Sequence, residues 1–169
     1  MGAHQNLANK DAIDKLKELA TTADICMFTT SLNELPLSSR PMSTGGVDEE
    51  GNIWFLSRKS STKNKQIAAD ERVQLFYASK GNSEYMSVFG IASVSYDRQK
   101  AEEIWSTIAK AWFTEGLDDP ELSVIKVVPQ DVYYWDTKHN KLVALLKIAA
   151  AVVTGHTMDD GVEGELRVK

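Results

Sequence analysis

The chain has 169 residues, 43% hydrophobic and 25% charged, an ordinary soluble globular balance, and its length suits one domain that buries about 70% of its unfolded surface. A net charge of -5 and a pI near 5.2 argue against a general nucleic-acid surface, which needs clustered cations. A single Cys26 excludes an internal disulfide and fits a reducing compartment.

Met1 to Asn9 is polar and lacks the apolar core of a signal peptide. From Asp11 to Ala20, Ile13, Leu16 and Leu19 recur at helical spacing, which predicts a short amphipathic helix. Ile25 to Ser31 reads as a strand. After an Asn33-Glu34 turn, Leu35 to Thr44 runs back as a second strand, and Pro36 and Pro41 make it an edge or bulged one. A Gly45–Asn52 hairpin loop leads to a third strand, Ile53 to Ser57, and Ser60 or Ser61 caps a helix through Ala69. Val73 to Ala78 and Tyr85 to Tyr96 are two more strands. A helix is expected from Asp97 to about Phe113, then a loop through Gly116–Pro120, a sixth strand from Ser123 to Trp135 and a last helix from about Lys138 to Val153. That last apolar stretch, Leu142 to Val153, is interrupted by Lys147 and is shorter than the ~20 residues of a membrane span, so the expectation is a cytoplasmic protein.

Strands joined by short hairpins, with helices around them, predict an α+β protein that is mainly antiparallel: a six-stranded barrel with flanking helices. Residues 1–155 form the expected domain, and 156–169 read as a loose acidic tail.

The chemistry centres on Arg40-Pro41-Met42-Ser43-Thr44 and on Ser61-Thr62-Lys63-Asn64-Lys65-Gln66-Ile67. Phosphate recognition needs a charged fork, a point-charge ammonium, hydroxyls and free amides converging on one anion. Arg40, Lys63, Ser61, Thr62 and the start of that helix offer this set. The competing reading is a solvated basic face made by Arg58, Lys59, Lys63 and Lys65. His4, His139 and His156 are scattered without metal-ligand spacing, so no metal site is expected. Cys26, between Ile25 and Met27 in a strand, reads as a core residue. No Walker loop, Gly-x-Ser-x-Gly or Gly-x-Gly-x-x-Gly is present. Trp105 and Trp112 would share one face of the 97–113 helix. That spacing fits core packing, and Trp112 with Phe113 also fits a cover over a bound ring from a second subunit.

In order and spacing, three blocks resemble the flavin-binding split barrels of the pyridoxamine 5'-phosphate oxidase-like family, in its general stress protein branch. They are Arg40–Thr44, Trp54-Phe55-Leu56-Ser57 through Ile67, and Lys110-Ala111-Trp112-Phe113 with Asp118-Asp119-Pro120. Tyr134-Trp135-Asp136 falls where that branch ends its final strand. The resemblance spans about residues 10–155. It implies a split barrel that binds FMN, with FAD admitted as a longer alternative, in a homodimer whose cofactor site lies between the chains. It places Arg40, Ser61, Thr62 and Lys63 at the flavin phosphate, and Met42, Ser43, Leu56 and Ser57 along the isoalloxazine ring. Tyr85 falls at a strand position that reaches the cofactor. Thr62 stands where the oxidases carry an arginine.

The resemblance implies a general stress type flavin protein whose redox chemistry is the flavin's own, with no residue singled out as acid or base. Two alternatives stay open. One is a pyridoxamine or pyridoxine 5'-phosphate oxidase, although Gly164–Lys169 does not resemble the arginine-containing segment that shapes its substrate pocket. The other is a flavin store or sensor without turnover. Haem handling on a related barrel lacks a well-placed His.

Overall fold

A computed structural model describes residues 3–137 and 161–168. The helix expected from Lys138 to Val153 lies outside the described residues.

Among the described residues the chain forms ten strands and three α-helices. The strands are β1 (Ala3–His4), β2 (Leu7–Ala8), β3 (Ile25–Thr30), β4 (Ser38–Ser43), β5 (Gly46–Val47), β6 (Ile53–Arg58), β7 (Arg72–Ser79), β8 (Glu84–Ser95), β9 (Leu122–Thr137) and β10 (Gly161–Arg167). The helices are α1 (Asn9–Ala23), α2 (Thr62–Ala69) and α3 (Arg98–Glu103). The fold is α+β and mainly antiparallel. All six strands expected from sequence are present as β3, β4, β6, β7, β8 and β9.

The hydrogen-bonded order is that of an open sheet. It runs β10-β9-β8-β7-β3-β4, and β6 is added to the Leu122–Val127 half of β9. Period-two alternation sets which face is buried. Along β7, Val73, Leu75 and Tyr77 point inward, and along β8, Met86, Val88 and Ala92 do the same. The sheet curls on itself. Phe28 of β3 and Phe55 of β6 are separated by three strands in the sheet, yet their rings meet edge to face at 5.2 Å. At Gly90, where the β8–β9 ladder shifts register, a Cβ would lie 2.8 Å from Val127 and from the Val128 carbonyl, so the close approach requires glycine.

The apolar stripe of α1 closes the core. Ala12, Leu16, Leu19 and Ala20 are buried against Leu75, Val88 and Val132 of the sheet's inner face. Burying each leucine is worth about 2 kcal/mol. β4 has β3 as its only ladder partner among the described residues, which is how Pro41 is tolerated in it.

Two expectations are corrected. The helix from Asp97 to Phe113 is not continuous. Asp97 caps α3, its Oδ1 accepting from the Lys100 amide at 2.9 Å, but the helix ends at Glu103, and a 3-10 turn follows at Thr107–Ala111. The break lets Ile104, Ala109 and Phe113 all bury against Trp54, Leu122 and Val124 on the second face of β6 and β9. Trp105 packs near Phe113, whereas Trp112 is 67% exposed, so the two tryptophans do not share a buried face.

The second correction concerns the tail. Residues 161–167 are not loose: β10 pairs antiparallel with the end of β9 and parallel with β1 and β2. Val162, Leu166 and Val168 join the main core. The acidic composition of this stretch reads as a loose tail, but the strand packs closely: at Gly164 a Cβ would sit 2.1 Å from the Gln5 carbonyl.

Candidate functional site

Strand alternation places Ser38, Arg40 and Met42 on one face of β4. Arg40 lies opposite Phe28 in the β3–β4 ladder, so its side chain follows the inner face to the open end of the core. α2 covers that end. Ser61 caps the helix through a 3.4 Å bond from the Asn64 amide to its hydroxyl, and Ile67 anchors it in the core. A second device fixes the helix start. The Ser57 hydroxyl donates to Asn64 Oδ1 at 2.7 Å, Asn64 Nδ2 donates to Ser123 Oγ at 3.0 Å, and Ser123 Oγ donates to the Ser57 carbonyl at 2.8 Å. All three side chains are buried, so β6, α2 and β9 are tied by a satisfied polar network.

Lys63 stands at the start of that helix, one turn before Gln66, which contacts Arg40. Both cations are half-buried, and neither has a carboxylate partner among the described residues. Burial pushes the Lys63 ammonium below its ordinary value, and repulsion from Arg40 pushes it further in the same direction. Burial alone lowers the Arg40 guanidinium. Lys63 is half-buried, so the solvated-face reading fits it poorly. It holds for Arg58, Lys59 and Lys65, which are exposed.

The Arg40 fork is held by neutral acceptors. Nη1 donates to Thr30 Oγ1 at 2.7 Å and to the Phe28 carbonyl at 3.3 Å; Nη2 donates to Ser38 Oγ at 2.6 Å and to Gln66 Oε1 at 3.0 Å. Thr30 also donates to Gln66 Oε1 at 2.7 Å. Sequence reading assigned no role to Thr30, Ser38 or Gln66. The signal was present in spacing: Ser38 shares a strand face with Arg40, and Gln66 lies one helical turn beyond Lys63.

The other expected site residues fall as follows. Ser61 and Thr62 stand at the start of α2 beside Lys63, Thr62 exposed. Ser57 is buried, and its hydroxyl is committed to Asn64. Met42 is in the core, and Ser43 faces solvent on the opposite side of β4. Leu56 packs against the Trp54–Phe113 cluster. Trp112 is exposed at the end of the 3-10 turn, and Tyr85 is exposed on the outer face of β8, in register with Trp135. Within one chain, therefore, Ser61, Thr62 and Lys63 share the start of α2 and Arg40 meets the same helix at Gln66, while Leu56, Tyr85 and Trp112 lie on other elements.

The outer face has its own character. Ile25, Met27, Phe76, Tyr85 and Trp135 are 41–51% exposed, with Met27 beside Phe76 and Tyr85 beside Trp135 across adjacent strands. Cys26, by contrast, is buried, and burial pushes its thiol up to about 12, so it offers no nucleophile.

Residues 11–159 match the family described as "Pyridoxamine 5'-phosphate oxidase like". The chain belongs to that family. Among its relatives, the protein bli-3 of Neurospora crassa is 26% identical over 153 residues, covering 85% of this chain and 73% of the relative. General stress protein 26 of Bacillus subtilis is 28% identical over 83 residues, which cover 47% of this chain and 59% of the relative. A Jannaschia sp. CCS1 structure named for general stress protein 26 superposes with a TM-score of 0.76 at 27% identity, covering 93% of this chain and 96% of the other. The general stress FMN/FAD binding protein of Xanthomonas citri shares the fold, with a TM-score of 0.64 at 21% identity over 76% of this chain and 90% of that one. This family member has no described helix long and apolar enough to cross a membrane.

Proposed function

We propose that this chain is a flavin-binding protein of the general stress type that holds FMN by its phosphate at the corner between β4 and α2. The observation that carries the reading is the pair Arg40 and Lys63: two half-buried cations, one on β4 and hydrogen-bonded to α2 through Gln66, the other at the start of α2, neither with a carboxylate partner among the described residues. Buried charge is ordinarily paired, and a phosphomonoester with about -1.5 to -2 charge at neutral pH supplies the missing partner. In this reading Lys63, Ser61, Thr62 and the α2 amides hold the phosphate within the field of Arg40. Met42 and Ser43 line the strand along which the ring lies, and Ser57 acts from below by fixing α2. The naming of a relative in the family for FMN/FAD binding supports the same ligand class, and FAD fits where its longer pyrophosphate is accepted.

The curled sheet is read as the split barrel of this family, and the protein as a cytoplasmic homodimer. The support for a dimer is the exposed apolar stripe of Ile25, Met27, Phe76, Tyr85 and Trp135, too continuous to be left in water. A second chain on that face would also cover Tyr85, which one chain leaves exposed. When bound, the flavin supplies hydride or electron transfer; the chain's residues bind and orient it.

The test is direct. Purified protein is scanned for the flavin bands at ~450 and ~370 nm, the released ligand is weighed, and the apo-protein is titrated with FMN and with riboflavin. Preference for FMN is expected. Equal affinity for the two would remove the phosphate site, and the absence of flavin binding would remove the function. Bleaching of the bound flavin by a nicotinamide nucleotide separates an oxidoreductase from a store.

A further inference from the structure

We propose that Gln66 is the specificity-determining residue of this anion site: it clamps Arg40 with a neutral acceptor and so leaves the charge of both cations for the ligand. The inference rests on the flavin-phosphate reading and deepens it.

Four bonds occupy both terminal nitrogens of Arg40, and every acceptor is uncharged: Thr30 Oγ1, the Phe28 carbonyl, Ser38 Oγ and Gln66 Oε1. Gln66 is the hub. Its Oε1 accepts a hydrogen bond from Arg40 and one from the fully buried Thr30, and its Nε2 donates to Ser38 Oγ at 3.2 Å. A carboxylate at position 66 would make the same contacts with Arg40 and Thr30 and bind the guanidinium more strongly, because charge-assisted bonds are about twice as strong as neutral ones. Fold stability alone would thus favour glutamate there. The amide holds the fork in place and cancels none of its charge.

Two consequences follow. With its terminal donors spent on the protein, Arg40 acts on an anion mainly through its field, with only the Nε–H left unassigned. Lys63 is then the direct contact, because its ammonium has no carboxylate partner among the described residues and already feels Arg40. The pair presents two positive charges to one ligand, which matches a dianionic phosphomonoester better than a neutral ribityl chain or a singly charged phosphodiester. Gln66 acts through Arg40 by adding no charge of its own, and what it controls is discrimination by charge.

The experiment titrates wild type, Gln66→Glu, Gln66→Met and Ser38→Asp with FMN and riboflavin, and follows thermal unfolding of each. For Gln66→Glu the preference for FMN over riboflavin is expected to fall about tenfold or more, with riboflavin affinity unchanged and the melting temperature equal or higher. Gln66→Met, which removes the acceptor without adding charge, is expected to keep the preference within about threefold. Should Gln66→Glu fail to fold, Ser38→Asp places a carboxylate on the same guanidinium nitrogen and decides by the same ratio. A Gln66→Glu or Ser38→Asp protein that keeps the wild-type preference overturns the role of Gln66 and leaves the flavin reading standing. Equal losses in Gln66→Met and Gln66→Glu also overturn it, because geometry rather than charge would then be at work. Wild type with no preference for FMN removes both proposals together.

Discussion

The corner between β4 and α2 and the hairpin between β5 and β6 are both polar and half-buried, and they treat charge in opposite ways. In the hairpin, Asp48 accepts from the Glu50 and Asn52 amides, from Asn52 Nδ2 and from the Trp54 indole, all within 3.0 Å. Burial pushes its carboxyl up, but those four donors outweigh it and hold the group below its usual range. Lys100 and Lys126 lie over the Trp54 ring at 4.8 and 5.5 Å, bringing positive charge near the same loop. In that corner the surroundings favour the charged form of the Asp48 carboxyl. At the β4–α2 corner Arg40 meets, among the described residues, only an amide oxygen, two hydroxyls and a carbonyl, and the surroundings of Arg40 and Lys63 disfavour their charged forms. On the proposed reading the first corner serves the fold, and the second is left for an anionic ligand.

Removing Lys63 should break this contrast most strongly. Lys63→Ala is expected to weaken FMN binding about tenfold to a hundredfold, the worth of one charge-assisted contact, with riboflavin affinity little changed in parallel titrations. Equal loss for both ligands would place Lys63 away from the phosphate. Asp48→Ala should do the reverse. Stranding the donors of the hairpin is expected to cost about 1–3 kcal/mol in denaturant unfolding, while the FMN-to-riboflavin ratio stays at the wild-type value. A shift in that ratio would mean the two corners are coupled.

Ser61→Ala sharpens the comparison on a smaller scale. The loss of the α2 cap is worth about 1 kcal/mol of stability, and a modest loss of FMN affinity is expected alongside, since the cap residue stands where the phosphate would lie. The smallest effect is in pH. Lys63 has a folded pKa below the 10.5 of the unfolded chain, so the unfolded state binds more protons in the window just below 10.5. Stability of the apo-protein should therefore rise with pH through that window relative to Lys63→Met, and FMN should abolish the difference. A wild type that instead loses stability there, relative to the variant, would show the ammonium to be favourably paired.

Much of the architecture was legible because it depends on local pattern. β7 and β8 alternate cleanly, the Ser61 cap precedes an amphipathic turn, and Pro41 marked β4 as an edge. The failures were places where a distant surface decides. Residues 98–113 carry helical spacing, but reaching both Trp54 and Leu122 required the chain to break after Glu103. Residues 161–167 look polar and glycine-rich, and only the slot between β9 and the N-terminal residues makes a strand of them. Within the site, Arg40, Lys63 and Ser61 were visible as residue types suited to phosphate, and the resemblance in order and spacing pointed to the family.

What sequence determined by itself was six of the ten described strands, the helix cap, the cationic residues and the family, because each is carried by residue type, period or order along the chain. Which cations are unpaired was decided by tertiary structure. Arg40 and Lys63 lie on different elements, and whether a carboxylate or an amide meets them depends on how β3, β4 and α2 pack at one end of the sheet. Electrostatic balance is a property of neighbours in space, so the neutral clamp made by Thr30, Ser38 and Gln66 becomes visible only once the sheet has curled and α2 has closed over it.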